Sequence, residues 1–358
     1  MDSINRIINF VFPPLALYGL FVFYPIYQRL KSAVSIWRNV LRENVAGKVV
    51  LITGAASGIG EATYEYGKKG AYLALVDIRD EPLFHVAALV EHYGSPEVIP
   101  MVADVSKIIS IAVALHDCER FIQAAVLHFG RLDHLVTNAG VAPLYLFEDI
   151  DDLSMAMPAM DINFWGSVYC TFFASSYLKK SRGKIVVIAS GCGCIASPRL
   201  SFYCASKAAV IAFYETLRIE FGSKVGVTIV APGVVDSEMT QGKFMTKNGQ
   251  FIVDKELRDV HISLLPVESA ERCAKAVLRS VCRGDRNQKC VVRENASADF
   301  GSFGKVLYEI IKPSQETMKS SHNTMKQLQL LKSETINYGD VFNGKKELIV
   351  KLHKFFSD

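Results

Sequence analysis

Neither sign of charge dominates this chain. Its 358 residues carry 40 Lys and Arg against 36 Asp and Glu, and a net charge of +4 is too slight to argue for nucleic acid as a partner. The eight cysteines are scattered without an even framework, which excludes a disulfide-stapled fold and points to reduced thiols in a domain facing the cytosol. Cys192-Gly-Cys194 has no second pair at ligand spacing, so no metal is assigned. No small-residue cleavage site follows the apolar N-terminus, so a removed signal peptide is not expected either.

What is present begins with that N-terminus. Ile7–Gln28 contains no charged residue and, at about 1.5 Å rise per residue, is long enough to cross a hydrocarbon core as a signal-anchor. Arg29, Lys31, Arg38 and Arg42 follow it against Arg6 before it, which leaves the rest of the chain on the cytosolic side. Pro13, Pro14 and Pro25 interrupt helix hydrogen bonding, so a transmembrane span and a hairpin dipping into one leaflet are both open. Leu30, Val34, Trp37 and Leu41 share a helical face, which suits a helix in a membrane interface or one packed on the domain.

From Gly47 to about Val281, strand-like and helix-like segments alternate, the mark of an α/β doubly wound parallel sheet covered on both faces. Candidate strands are Val49–Ile52, Tyr72–Val76, Val98–Val102, His134–Val136, Ile185–Ile188 and Val227–Val230. The first runs into Thr53-Gly-Ala-Ala-Ser-Gly-Ile-Gly60. Glycines at 54, 58 and 60 let the backbone turn tightly and approach a pyrophosphate, while the following helix points unpaired N–H groups at it. Asp77, about 20 residues on, closes the second strand where a carboxylate can accept bonds from an adenosine ribose. Together these read as a dinucleotide site rather than a glycine-rich helix cap. Asp104, just past the third strand, either meets the adenine ring or caps a helix. Asn138-Ala-Gly140 ends the fourth strand as a close approach to cofactor or as a plain turn. The fifth strand ends at Ser190; Tyr203 and Lys207 then fall one turn apart on a helical face, provided the helix begins by Tyr203.

Those motifs, with Pro232-Gly233, jointly resemble the short-chain dehydrogenase/reductase family. Asn163-Phe-Trp-Gly-Ser-Val-Tyr169 and Pro198-Arg-Leu-Ser-Phe-Tyr203, with the proline-broken N-terminus, look like its plant hydroxysteroid dehydrogenase-like branch, the steroleosins. The resemblance implies a Rossmann domain holding NAD or NADP through Thr53, Gly54, Ser57, Gly58, Ile59, Gly60, Asp77, Arg79, Asp104, Asn138, Ala139, Gly140, Tyr203, Lys207, Pro232 and Gly233. It further implies Tyr203 as general acid/base, Ser190 on the substrate oxygen, Lys207 on the nicotinamide ribose and Asn163 holding a water in a proton relay. Asp77 should repel the 2′-phosphate of NADP and so favour NAD, whereas Arg79 could accommodate that phosphate. The family also implies a possible homodimer, and the branch a place on lipid droplets or the endoplasmic reticulum membrane, in steroid or other lipid metabolism.

The expected organisation is therefore an anchor and interfacial helix over residues 1–44, a Rossmann domain over 45–285 and a divergent tail over 286–358. Three departures from the family pattern stand out. The first helix is about one residue short, which turns its later face by about 100°. Ile108–His116 reads as an apolar insertion that extends a helix or lies exposed. After Gly284-Asp-Arg286 the resemblance ceases. The expected activity is a membrane-anchored oxidoreductase interconverting an apolar secondary alcohol, of hydroxysteroid type, and its ketone. Its rivals are a dehydrogenase of retinoid or long-chain acyl-derived substrates and a non-catalytic lipid-droplet scaffold.

Overall fold

Val-Val-Leu-Ile-Thr of β1 (Val49–Thr53) is buried at every position, as an inner parallel strand must be when both of its faces are covered. Alternate residues serve opposite faces: Val50 and Ile52 pack into one core, Val49 and Leu51 into the other. The same split recurs in β2 (Tyr72–Asp77), where Leu73 and Leu75 oppose Ala74 and Val76. Further strands are β3 (Val98–Val102), β4 (His134–Thr137), β5 (Lys184–Ile188), β6 (Gly226–Pro232) and β7 (Asn287–Cys290). They form a sheet of order β3-β2-β1-β4-β5-β6-β7, parallel throughout. Consecutive connections leave β1 in one direction and, after β3, resume at β4 in the other, which opens a crevice at the carboxyl ends of β1 and β4.

The computed structural model describes residues 42–61, 64–110, 115–262, 267–285 and 287–290, with isolated helical positions at 23, 24, 26, 29 and 30. Apart from those positions, the expected anchor and interfacial helix lie outside the described residues, as does the tail from 291 onward. No helix among the described residues is long and apolar enough to cross a membrane.

Helices α1 (Asp80–His92) and α5 (Ala270–Arg283) cover one face, with Leu83, Val86, Val277 and Val281 in its core. The other face is covered by α2 (Asp117–Phe129), α3 (Gly166–Ser181) and α4 (Ser201–Phe221), through Phe121, Leu178 and Tyr214 among others. All six expected strands are present, and β7 is an addition. Asn-Gln-Lys-Cys has no apolar run; it is a strand because it pairs along β6, Asn287 opposite Ile229. The insertion is a correction: rather than extending a helix, Ile108–Ser110 pairs antiparallel with Leu115–His116. The first helix appears as turns over Gly58–Glu61 and Tyr64–Gly67. Its shortening still delivers Tyr66 to the core, 1% exposed, with its hydroxyl 3.3 Å from His134 Nδ1.

Beneath the sheet, at the end away from the crevice, Glu43 gathers a cluster. Its Oε2 lies 2.6 Å from Lys184 Nζ and 3.4 Å from His134 Nε2, and its backbone N–H donates to the Cys282 carbonyl at 2.9 Å. Burial pushes the carboxyl up, but the adjoining His134 and Lys184 side chains outweigh it and hold it at about 2, against an ordinary 4.5. A carboxylate depressed on folding adds stability above its unfolded value, and that stability is lost as pH falls through the folded one. With the 24% exposure of the side chain discounted, it is worth on the order of 2 kcal/mol. Glu43→Gln should therefore destabilise the domain by that amount at neutral pH and flatten its loss of stability between pH 4.5 and 2, measured by urea unfolding. Parallel acid limbs for the two proteins would remove Glu43 as the source.

Candidate active site

The crevice is walled first by the turn after β1. Gly54 has φ +63°, and a Cβ there would stand 2.7 Å from the Ala139 Cα; a Cβ on Gly60 would overlap the Gly54 carbonyl oxygen and stand 2.6 Å from Asn138 Nδ2. Hydrogen bonds fix this close approach. Thr53 Oγ1 accepts from the N–H groups of Asn138 (3.1 Å) and Ala139 (3.3 Å), while Asn138 Nδ2 donates to the carbonyls of Thr53 (3.2 Å) and Gly54 (2.9 Å). Asn138-Ala-Gly140 is thus the partner of the glycine turn.

Buried Asp77 accepts from the Ala56 N–H through Oδ2 (3.0 Å) and from the Arg79 N–H (3.0 Å) and Nε (3.3 Å) through Oδ1. Arg79 continues outward, its Nη1 donating to both carboxylate oxygens of Glu238 at 2.8 and 3.0 Å. Asp104 caps its own turn, its Oδ1 accepting from Ser106 N–H (3.0 Å) and Oγ (2.7 Å), and it also lines the crevice. The turn it closes runs into a strand and begins no helix, so the helix-cap expectation is corrected, and contact with adenine belongs to the proposal below.

At the other end, Ser190 follows β5, and its Oγ accepts from the Cys192 N–H at 3.1 Å. Helix α4 begins at Ser201, so Tyr203 and Lys207 do share a face. Burial pushes the Tyr203 phenol up and the neighbouring Cys192 thiol adds to this, while a hydrogen bond with Ser190 lowers it. Lys207, 4% exposed, donates from Nζ to the Ile188 carbonyl at 2.9 Å and lies 5.9 Å from the Tyr203 ring centre. Burial lowers it to about 8, opposed only by Cys192.

Asn163 sits on a π-helical turn, Asp161–Trp165, a local distortion that frequently marks a functional site. Its amide bonds both backbone groups of Val141 (Oδ1 from N–H, 2.8 Å; Nδ2 to C=O, 3.0 Å), and its Nδ2 also donates to Ser206 Oγ at 2.9 Å. Ser206 Oγ in turn donates to the Tyr203 carbonyl at 2.8 Å. These contacts join the end of β4 to the start of α4.

These ends belong to one cleft of about 550 Å³. Gly54, Ser57, Gly58, Ile59, Asp77, Arg79, Asp104, Asn138, Ala139, Gly140, Ser190, Tyr203, Lys207, Pro232 and Gly233 line it, whereas Thr53, Gly60 and Asn163 shape it from behind. The sequence reading overlooked the lining segment Val235, Ser237–Thr240, Lys243 and Phe251. A signal for part of it exists: Ser237-Glu-Met-Thr240 after Pro232-Gly233 is a hydroxyl-closed turn, with Thr240 Oγ1 accepting from the Ser237 N–H at 2.8 Å. The residues fit a dinucleotide. The glycine turn leaves no room for side chains, Asp77 lies at the end of the cleft away from Tyr203, and among the described residues the buried Lys207 cation has only a carbonyl as its hydrogen-bond acceptor.

Comparison with known proteins agrees with this geometry. Residues 48–248 match the family described as short chain dehydrogenase. The 11-beta-hydroxysteroid dehydrogenase-like 6 of Arabidopsis thaliana is 81% identical over 287 residues, 80% of this chain and 82% of that protein. The 11-beta-hydroxysteroid dehydrogenase A of Arachis hypogaea is 51% identical, and that of Sesamum indicum 45%, each over 80% of both chains.

Proposed function

The chain belongs to the short-chain dehydrogenase family of NAD(P)-dependent oxidoreductases acting on CH–OH groups, and from that premise we propose that it interconverts a hydroxysteroid-like secondary alcohol and its ketone. The observation that carries this is the convergence of Ser190, Tyr203 and Lys207 at one end of the cleft, with Asp77 at the other.

Bound there, the nicotinamide supplies the hydride chemistry. The chain supplies the rest. Tyr203, pushed up by burial, holds its proton at neutral pH and is set to donate it to a carbonyl oxygen in the reducing direction. In the oxidising direction it must accept that proton, which the Lys207 ammonium and an oxidised, cationic cofactor both favour. Ser190 gives the substrate oxygen a second hydrogen bond. Lys207, held against Ile188, would hold the nicotinamide ribose. Asn163 fixes the Val141 backbone and, through Ser206, the first turn of α4; the water relay implied by the family belongs to this same proposal.

An apolar substrate fits the surroundings. Phe147, Leu153, Met155 and Met157 are exposed, as are Phe251, Ile252 and Val253 of the hairpin Lys243–Met245/Phe251–Val253. The two segments meet, because Lys247 Nζ lies 2.9 Å from Asp151 Oδ2 and a Cβ on Gly249 would touch Met155 Sδ. Exposed apolar side chains beside a cleft mark a surface for apolar ligands or membranes, in keeping with anchoring at a membrane or lipid droplet with the domain in the cytosol. Asp77 favours NAD over NADP in this reading.

Titration of the purified protein with NADH and NADPH, followed by turnover of a hydroxysteroid panel, tests these points. NADH should bind about tenfold more tightly than NADPH. Equal affinities would remove Asp77 as discriminator, and cofactor binding without turnover of any hydroxysteroid would overturn the substrate class.

A further inference from the structure

The cleft has an ionic connection that the catalytic scheme leaves unused. Asp77 takes the Arg79 N–H and Nε on Oδ1, which orients the guanidinium across the cleft. Its Nη1 then meets Glu238, 159 residues later in the chain. Glu238 is held from its far side as well: Lys243 Nζ donates to Oε2 at 2.7 Å, and the Lys243 N–H donates to the Glu238 carbonyl at 3.0 Å. The segment carrying Glu238 lies directly on the glycine turn, since a Cβ on Gly58 would stand 3.1 Å from Ser237 Cβ. Among the described lining residues the cations are Arg79, Lys207 and Lys243. Lys207 is at the catalytic end, so both cations at the other end are bonded to Glu238, and Arg79 to Asp77 as well.

We infer that Glu238 is a specificity-determining residue, which occupies Arg79 and so withholds it from the 2′-phosphate of NADPH. This rests on the reading of the cleft as an NAD(P) site and adds a residue that neither the glycine turn nor the end of β2 contains. NADH has a free 2′-hydroxyl and makes no demand on Arg79. NADPH brings a phosphate dianion that must either displace Glu238 from the guanidinium or approach two carboxylates, Asp77 and Glu238, without its counter-ion. Displacement is feasible, because Arg79 and Glu238 are 29% and 43% exposed and Lys243 remains to receive the released carboxylate. The device therefore biases the choice of cofactor and does not forbid NADPH.

The test compares wild type, Glu238→Gln, Lys243→Met and the double variant Arg79→Gln/Glu238→Gln in binding NADH, NADPH and the fragments 5′-ADP and 2′,5′-ADP. Glu238→Gln should tighten NADPH and 2′,5′-ADP by about tenfold and leave NADH and 5′-ADP within about twofold. Lys243→Met, which leaves Glu238 with Arg79 as its only cation among these groups, should weaken NADPH and 2′,5′-ADP and leave NADH and 5′-ADP within about twofold. The gain should vanish in the double variant and shrink at about 0.5 M salt. A shift shared by all four ligands, or none in any, would overturn the role of Glu238 while the cofactor site stands. Failure of all four to bind the folded wild type would overturn both.

Discussion

Replacing Tyr203 with phenylalanine should lower turnover by about three orders of magnitude and leave NADH affinity within about threefold. The size follows from what surrounds the lost hydroxyl. Ser190 remains beside the substrate oxygen, but its own N-cap bond from Cys192 marks it as a holder, and a serine hydroxyl is far too weak an acid to protonate a carbonyl. Lys207 cannot substitute either: its Nζ is engaged by the Ile188 carbonyl, 5.9 Å from the ring centre. The phenylalanine ring keeps the packing of Tyr203 against Ala142, Leu144 and Phe244, so the cofactor wall is undisturbed. Steady-state kinetics with a parallel binding titration reads both quantities. An unchanged rate would end the proton-transfer role of Tyr203, and a collapse of rate and binding together would make its role structural.

The second large effect belongs to Gly60→Ala, one methyl group at the floor of the crevice. The new Cβ would overlap the Gly54 carbonyl oxygen and crowd Asn138 Nδ2, backbone and amide groups already fixed by hydrogen bonds to Thr53 and Gly54. The turn must move, and with it the N–H groups that face the pyrophosphate. We expect cofactor affinity to fall by about a hundredfold or more, a loss that displacement of about 1 Å in a positioned site can produce. Gly130→Ala is the control. It also has positive φ, +76°, but nothing lies within 4 Å of the added Cβ, so only the backbone penalty of about 1 kcal/mol applies and cofactor binding should persist. Equal behaviour of the two variants in calorimetric titration would discard the steric account.

How much of this could be read in advance depended on where each signal resides. Inner strands such as Val49–Thr53 and Ile185–Ile188 announce themselves because burial on two faces demands an unbroken apolar run. The glycine turn is legible for a similar local reason, since each missing side chain answers one close approach. Strand β7 is not, because Asn-Gln-Lys-Cys becomes a strand only through pairing with β6. Ile108–Ser110 has strand composition, but its hairpin partner, Leu115–His116, lies across four residues that also suit a helix. Asp104 divided the local signals, and the structure has it close a turn onto Ser106 at the edge of the crevice. Glu238 was invisible for the plainest reason: its partner Arg79 is remote in sequence, and nothing in Asp236-Ser-Glu-Met-Thr240 points to a guanidinium.

Glu43 bears on how the domain carries a load. Glu43 itself is stitched to the lower ends of β4 and β5 through His134 and Lys184, and to the end of α5 through Cys282. Ser190 and Asn138 stand beyond the opposite ends of those two strands. A tug or tilt delivered through residue 43 is therefore shared among three elements at the base and must travel the length of the sheet before it reaches the reacting atoms. The clasp thus acts as a strain relief for any force applied at residue 43, spreading it over the base of the sheet while the cleft keeps its shape.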